Sequence, residues 1–323
     1  MADTAYTYAV ARVRAKEVFL LSNADIEQLI ALKTEENCLA FLREKGWGNG
    51  SLEESADEML SNEMTKAWRE AKDLVMDRSV FDVLMAPREY HNLKAAIKKV
   101  CAGDKAENIF FDDTLYNPDE LMIMIAKRKF DKLPKEMAEV ASVAVETLLQ
   151  TKDGQMCDIL IDRATLEAIA KIGENSSSAF VKEYVKDTLM VADIRIAVRS
   201  AKTGKSKMFM DKAMVECEGI KKKDLIDAAV SGITGVCDYL EKIGKTEIVE
   251  AIKESPSAFE KWCDNKIMDT IMSQKYNSFS EGPILAYILA KENEIKTVRV
   301  ILTGKVNELD EDFIRERVRK MYV

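Results

Sequence analysis

The sequence predicts an all-α protein of three similar helical modules, and three observations predict it. First, 13 glycines and 5 prolines in 323 residues leave few punctuators for a chain of strands and turns, and helix formers dominate. Second, apolar residues make up 47% of the chain and recur at helical spacing. Third, the chain repeats itself. At an offset of 101 residues, applied twice, Asn92-Leu93-Lys94 falls on Asp193-Ile194-Arg195 and then on Glu294-Ile295-Lys296. Each copy then reaches a glycine: Gly103, Gly204 and, one residue early, Gly304. A threefold internal repeat builds a solenoid or a closed pseudo-threefold body, a shaped binding object more than a single catalytic cleft. The repeat places modules at 1–105, 106–205 and 206–323.

The elements follow in order. Alanine, charge and one broad apolar face (Tyr6, Val10, Val13, Phe19, Leu20) predict a first helix from Ala5 to Leu21. Ser22-Asn23-Ala24-Asp25 is a capping signature opening the second, and a third spans Glu35 to Lys45. Gly46 to Gly50 is the clearest loop. A charged helix covers Leu52 to Asp77; Phe81 to Met85 follows, then a break at Pro87 and the first repeated helix to Cys101. Asn117-Pro118-Asp119-Glu120 is a cap, a first-position proline and first-turn acids. Leu133-Pro134 restarts a helix to Leu149, and helices over Met156–Lys171 and Ser178–Lys202 carry the second copy. Short helices fill Ser206 to Ile252, Ser255-Pro256 opens one near Trp262, and Gly282-Pro283 opens the third repeated helix. Asn307 is expected to cap a last helix running to the C-terminus.

Composition narrows function. The net charge of −8 argues against a general nucleic-acid binder. The longest near-continuous apolar run, Pro283 to Ala290, is less than half of a membrane span. The six cysteines show no metal-ligand spacing and are expected to be reduced, buried thiols. One histidine, His91, disfavours a zinc site or a Ser-His triad.

Two motifs fail on inspection. Thr203-Gly204-Lys205-Ser206 resembles the end of a phosphate loop, but Arg199 stands where the first glycine belongs and a helix precedes it. Phe110-Phe111-Asp112-Asp113 resembles a magnesium-binding aspartate motif, but Tyr116 replaces the third aspartate. The basic groups Lys221 to Lys223 and Arg315, Arg317, Arg319, Lys320 read as helix-end charges, with an anionic surface as the other possibility. No cofactor or metal is expected.

In the repeated helix, Leu93, Ala96, Ile97 and Val100 form one apolar stripe, repeated at Ile194, Ala197, Val198 and Ala201 and, broken by Arg299, at Ile295, Val298 and Leu302. The stripe reads as the core seam of each module. Asn92, Asp193 and Glu294 stand two residues before Lys94, Arg195 and Lys296, so the two sets lie on different faces. One set is expected to face solvent or a partner, and these six residues are the partner-contact candidates. Asp162 and Asp264, 102 residues apart, echo the repeat.

The opening Tyr8-Ala9-Val10-Ala11-Arg12-Val13-Arg14-Ala15-Lys16-Glu17, with Leu20-Leu21, resembles the N-terminal signature of the C subunit of V-type (archaeal and bacterial A-type) rotary ATPases, the counterpart of the eukaryotic d subunit. His91 to Lys94, and Lys291 to Ile295 through Arg299 to Gly304-Lys305, resemble its internal motifs. The stretch Lys205 to Glu254 carries little that matches. The resemblance implies three helical modules in a pseudo-threefold funnel without catalytic residues. It implies a funnel on the cytoplasmic face of the membrane, seated on the proteolipid rotor ring. Its partners would be that ring, the central shaft subunit and the shaft's small companion, with torque passing between them. An acidic socket suits a basic shaft end, so charge reversal at Asp193 and Glu294 is expected to weaken binding. The alternative is a free helical-repeat adaptor holding a protein or peptide in its concave face.

Overall fold

A computed structural model describes residues 6–103, 106 and 109–323, so the expected helix start at Ala5 and the module boundary at 105 lie outside the described residues. Among the described residues the chain is all-α, with sixteen α-helices, two 3-10 turns and an isolated antiparallel bridge between Cys217 and Ile220. The first eight helices are α1 Thr7–Glu17, α2 Asn23–Ala31, α3 Glu35–Glu44, α4 Ala56–Asp73, α5 Asp82–Ala102, α6 Pro118–Lys127, α7 Lys135–Thr151 and α8 Gly154–Asn175. The rest are α9 Ala179–Thr203, α10 Lys207–Ala213, α11 Lys222–Val230, α12 Ile233–Lys242, α13 Thr246–Glu254, α14 Pro256–Met272, α15 Gly282–Val306 and α16 Glu311–Arg317. No helix among the described residues is long and apolar enough to cross a membrane.

The chain folds into two compact units, one of residues 81–244 and one of residues 1–80 with 245–323. In the first, α5 packs on α6, α7 and α8, around Leu93, Ala96, Ile97, Leu121, Ala141, Ala144 and Cys157. Further along, α9 packs on α8, α11 and α12. In the second, α15 is the centre, with α1, α4, α14 and α16 against it. Its apolar run Pro283 to Ala290 is buried all round, so it is the core of a globular unit. Its lower half shares a cluster with Leu29, Ile30, Leu42, Trp47, Leu60 and Ile314.

Local signals place most helix starts. Ser22 and Ser55 make full capping boxes with Asp25 and Glu58, Asn117 caps α6 ahead of Pro118, and Ser178 caps α9. The Ser55 box starts α4 at Ala56, four residues inside the predicted start.

Several expectations are corrected. Pro87 does not break the chain: α5 starts at Asp82 and carries Pro87 in its second turn. A proline there removes one helical hydrogen bond, and packing of the buried Val83, Leu84, Tyr90 and Leu93 overrides that loss. The first helix stops at Glu17 because the chain turns there to bury Leu20 and Leu21. Asn307 ends α15, and the last helix starts after Asp310 and stops at Arg317. The three glycines are not equivalent. Gly103 and Gly204 take the left-handed conformation just past α5 and α9, at φ 68° and 64°. Gly304 lies inside α15, where a Cβ would sit 2.6 Å from Ile314. The stripe also ends early, since Val100 is exposed.

Candidate functional site

The repeated residues lie on α5, α9 and α15. Asn92 and Asp193 are wholly buried and Glu294 is 1% exposed. Of the two repeated sets, this is the one that does not face solvent: each is turned inward to hold a backbone amide. Asn92 Oδ1 accepts the N–H of Phe111 at 2.9 Å, while its Nδ2 donates to the Phe111 carbonyl at 2.8 Å and to Thr114 at 3.1 Å. Asp193 Oδ1 accepts the N–H of Val215 at 3.2 Å. Glu294 Oε1 accepts the N–H of Leu21. A buried amide left without an acceptor costs about 1–3 kcal/mol, which explains why a polar residue recurs there.

The third anchor differs in what it holds. Asn92 and Asp193 reach 19 and 22 residues downstream. The stretch at the same distance from Glu294 is helical, in α16, and the elbow between α1 and α2 supplies the amide instead. The first residues of the chain therefore complete the last copy of the repeat.

The cations two residues later lie on the other face, as the spacing predicts. Lys94 is half-buried and its Nζ meets Asp162 at 2.6 Å; one turn on, Lys98 meets Asp158 at 2.7 Å. Arg195 is half-buried and Lys296 exposed. The Asp162 echo is only partial: Asp264 pairs with Arg319 at 2.9 Å. The basic group near the C-terminus is internally engaged, with Arg315 on Glu27 and Lys320 on Asp269. Pairs this exposed are worth about 0–1 kcal/mol each and leave the face available to a partner.

One buried polar node lies beyond what the repeat shows. Lys291 is 5% exposed, with its Nζ 2.5 Å from Glu294, 3.7 Å from Glu63 and 4.8 Å from the Trp47 ring centroid. Glu63 also accepts the N–H of Gly48 at 3.0 Å. The node ties α4, α15, the glycine loop and the α1–α2 elbow together. Its sequence signal is a lysine that directly follows the apolar run Pro283 to Ala290 and stands three residues before the anchor, a setting where a charge needs a partner. Burial raises the Glu294 carboxyl above the usual range, opposed by Lys291. Burial also pushes Asp193 up to about 7, opposed by the Val215 amide.

The rejected motifs have structural jobs. Gly204 ends α9 and Ser206 caps α10, so Thr203 to Ser206 is a helix-to-helix turn. Asp112 and Asp113 lie in a bend between α5 and α6. No group of three or more potential ligands could hold a metal among the described residues. All six cysteines are thiols, as expected, but Cys101 and Cys217 are only half-buried. Burial lifts Cys38 and Cys157 to about 11, which leaves them as unreactive thiols.

The family model of the ATP synthase (C/AC39) subunit matches residues 9–317. The chain belongs to this family. It is similar to the C subunit of the A-type ATP synthase of Methanocaldococcus jannaschii, 26% identical over 96% of this chain and 85% of that protein. It is also similar to the C subunit of the V-type sodium ATPase of Enterococcus hirae, 20% identical over 96% of this chain and 97% of that one. The C subunit of the A-type ATP synthase of Thermococcus kodakarensis is 21% identical over 98% and 90%.

Within this C/AC39 protein the N-terminal signature has a structural reading. Arg14 grips Glu17 at 2.7 Å and donates to the carbonyls of Gln274 and Asn277 at 2.5 and 2.9 Å. Lys16 meets Glu70 at 2.6 Å. The signature thus pins α1 to α4 and to the turn after α14. In the motif on α15, Asn293 donates to the Lys320 carbonyl at 3.0 Å, fixing the chain end.

Proposed function

We propose that this member of an A/V-type ATPase is the central-stalk socket, linking the rotor shaft to the membrane proteolipid ring and passing torque between them. The observation that carries the reading is the same anchor on three helices 101 residues apart, at Asn92, Asp193 and Glu294. In this reading modules 1–105, 106–205 and 206–323 are arranged as a pseudo-threefold funnel, the last completed by the α1–α2 elbow. A torque-bearing part must be stiff, and close-packed helices with fixed loops are stiff. The role is non-catalytic and peripheral, on the cytoplasmic face.

Lys94, Arg195 and Lys296 are the members of the six candidates whose side chains reach the surface, so they offer a partner cations in place of the acidic contacts expected at the buried Asp193 and Glu294. Asn92, Asp193 and Glu294 act from behind them by fixing the backbone. Partner binding through such polar groups is reversible and salt-sensitive, as suits a shaft that must seat without unfolding its socket. The test is co-sedimentation of the purified chain with the detergent-solubilised ring, with and without the shaft pair. The reading expects the shaft to reach the ring only when this chain is present. A shaft that binds the ring equally well without it would overturn the reading.

A further inference from the structure

The three anchors do one job with different chemistry. Asn92 uses an amide: its oxygen accepts the incoming N–H and its nitrogen donates back to the carbonyl of the same residue and to Thr114. Asp193 holds Val215 with one oxygen; its other oxygen accepts the Cys217 thiol, at 3.9 Å. It is wholly buried, and among the described residues no ion pair reaches it. The segment it holds, 214–220, is short and irregular, closed by the isolated Cys217–Ile220 bridge.

We propose that Asp193 is a proton-operated latch on segment 214–220, closed when the carboxyl is protonated and loosened when it is charged. A protonated carboxyl removes the buried charge and still accepts the Val215 N–H; its second oxygen has the Cys217 sulfur at 3.9 Å where the Asn92 nitrogen has the Phe111 carbonyl and Thr114. A charged carboxylate has no donor to give and leaves a buried charge with one backbone N–H against it.

The surroundings do little to hold that charge. From the segment itself, Glu216 and Cys217 face it. From α11, Lys222 favours the charged form, but its Nζ is engaged by Asp211 of α10 at 3.0 Å. From α8, Arg163 also donates to the Asp211 backbone, at 3.2 Å, and from α12 the Tyr239 hydroxyl accepts the Lys221 N–H. Burial outweighs these groups and lifts the Asp193 carboxyl to about 7, from an ordinary value near 3.8. Opening the segment therefore releases a proton between those two values. Local stability is full below about pH 4, falls as pH rises, and levels above about pH 7.

The test is amide hydrogen exchange of the full chain, read on segment 214–220 and corrected for intrinsic exchange. Protection there should fall about tenfold per pH unit from about pH 5.5 to 7 and then level. The core of α15, 284–290, is the reference and should not share that slope. Asp193→Asn should abolish the slope, because it installs the Asn92 chemistry. Asn92→Asp should move a slope of the same sign to segment 111–116. Flat protection in the unaltered chain, or a slope that survives Asp193→Asn, would overturn the latch. Neither result depends on binding to the ring or the shaft.

Discussion

Asn92, Asp193 and Glu294 show how much a single position can decide. Each trades exposure for a bond to a backbone amide distant in sequence. Glu294 carries a second duty, because Lys291 has been taken out of water beside it. Glu294→Leu should therefore cost about 3–5 kcal/mol, the range for stranding a buried partner charge. Glu294→Gln should cost less, since an amide oxygen still accepts the Leu21 N–H. Urea midpoints measure both; equal losses would mean that the Leu21 amide finds another acceptor. The pH dependence follows with its sign. Burial raises both Glu294 and Asp193, so the folded chain holds protons that the unfolded chain releases. Their contribution is present at acid pH and lost as pH rises through their folded values. Urea stability of Asp193→Asn should fall less steeply between about pH 4 and 7 than that of the unaltered chain.

Elements were legible in the sequence wherever a side chain acts on its own helix. The Ser22 and Ser55 boxes, the Asn117-Pro118 start and the Ser178 cap involve residues within one turn of each other. The elements misread were those decided by distant partners. Pro87 sits in a continuous helix because packing holds it there, and the end of α1 is set by an elbow whose Leu21 amide meets Glu294, 273 residues away. The inward turn of the candidate site was hidden for the same reason, since nothing near Asn92 or Asp193 in sequence announces an amide 19 or 22 residues later. The glycines give a sharp contrast to measure. Gly204→Ala forces a left-handed alanine in open space and should cost about 1–2 kcal/mol. Gly304→Ala meets the buried Ile314 between α15 and α16, and overpacking of that kind costs about 1–3 kcal/mol. Thermal denaturation compares them. Adding Ile314→Val should recover part of the second loss and none of the first.

At the scale of the whole molecule, a chain of net charge −8 belongs to an ATP synthase family and offers no metal site among its described residues. Its proposed work is to be held and to hold. Lys296 is the exposed member of the repeated cations, so Lys296→Glu should leave stability within about 0.5 kcal/mol while weakening partner binding. The most direct measurement is a calorimetric titration of the purified shaft pair into this chain at two salt concentrations, about 50 and 300 mM. The socket account predicts saturable one-to-one binding that weakens at the higher salt. No binding at either concentration, by a chain shown to be folded, would contradict it.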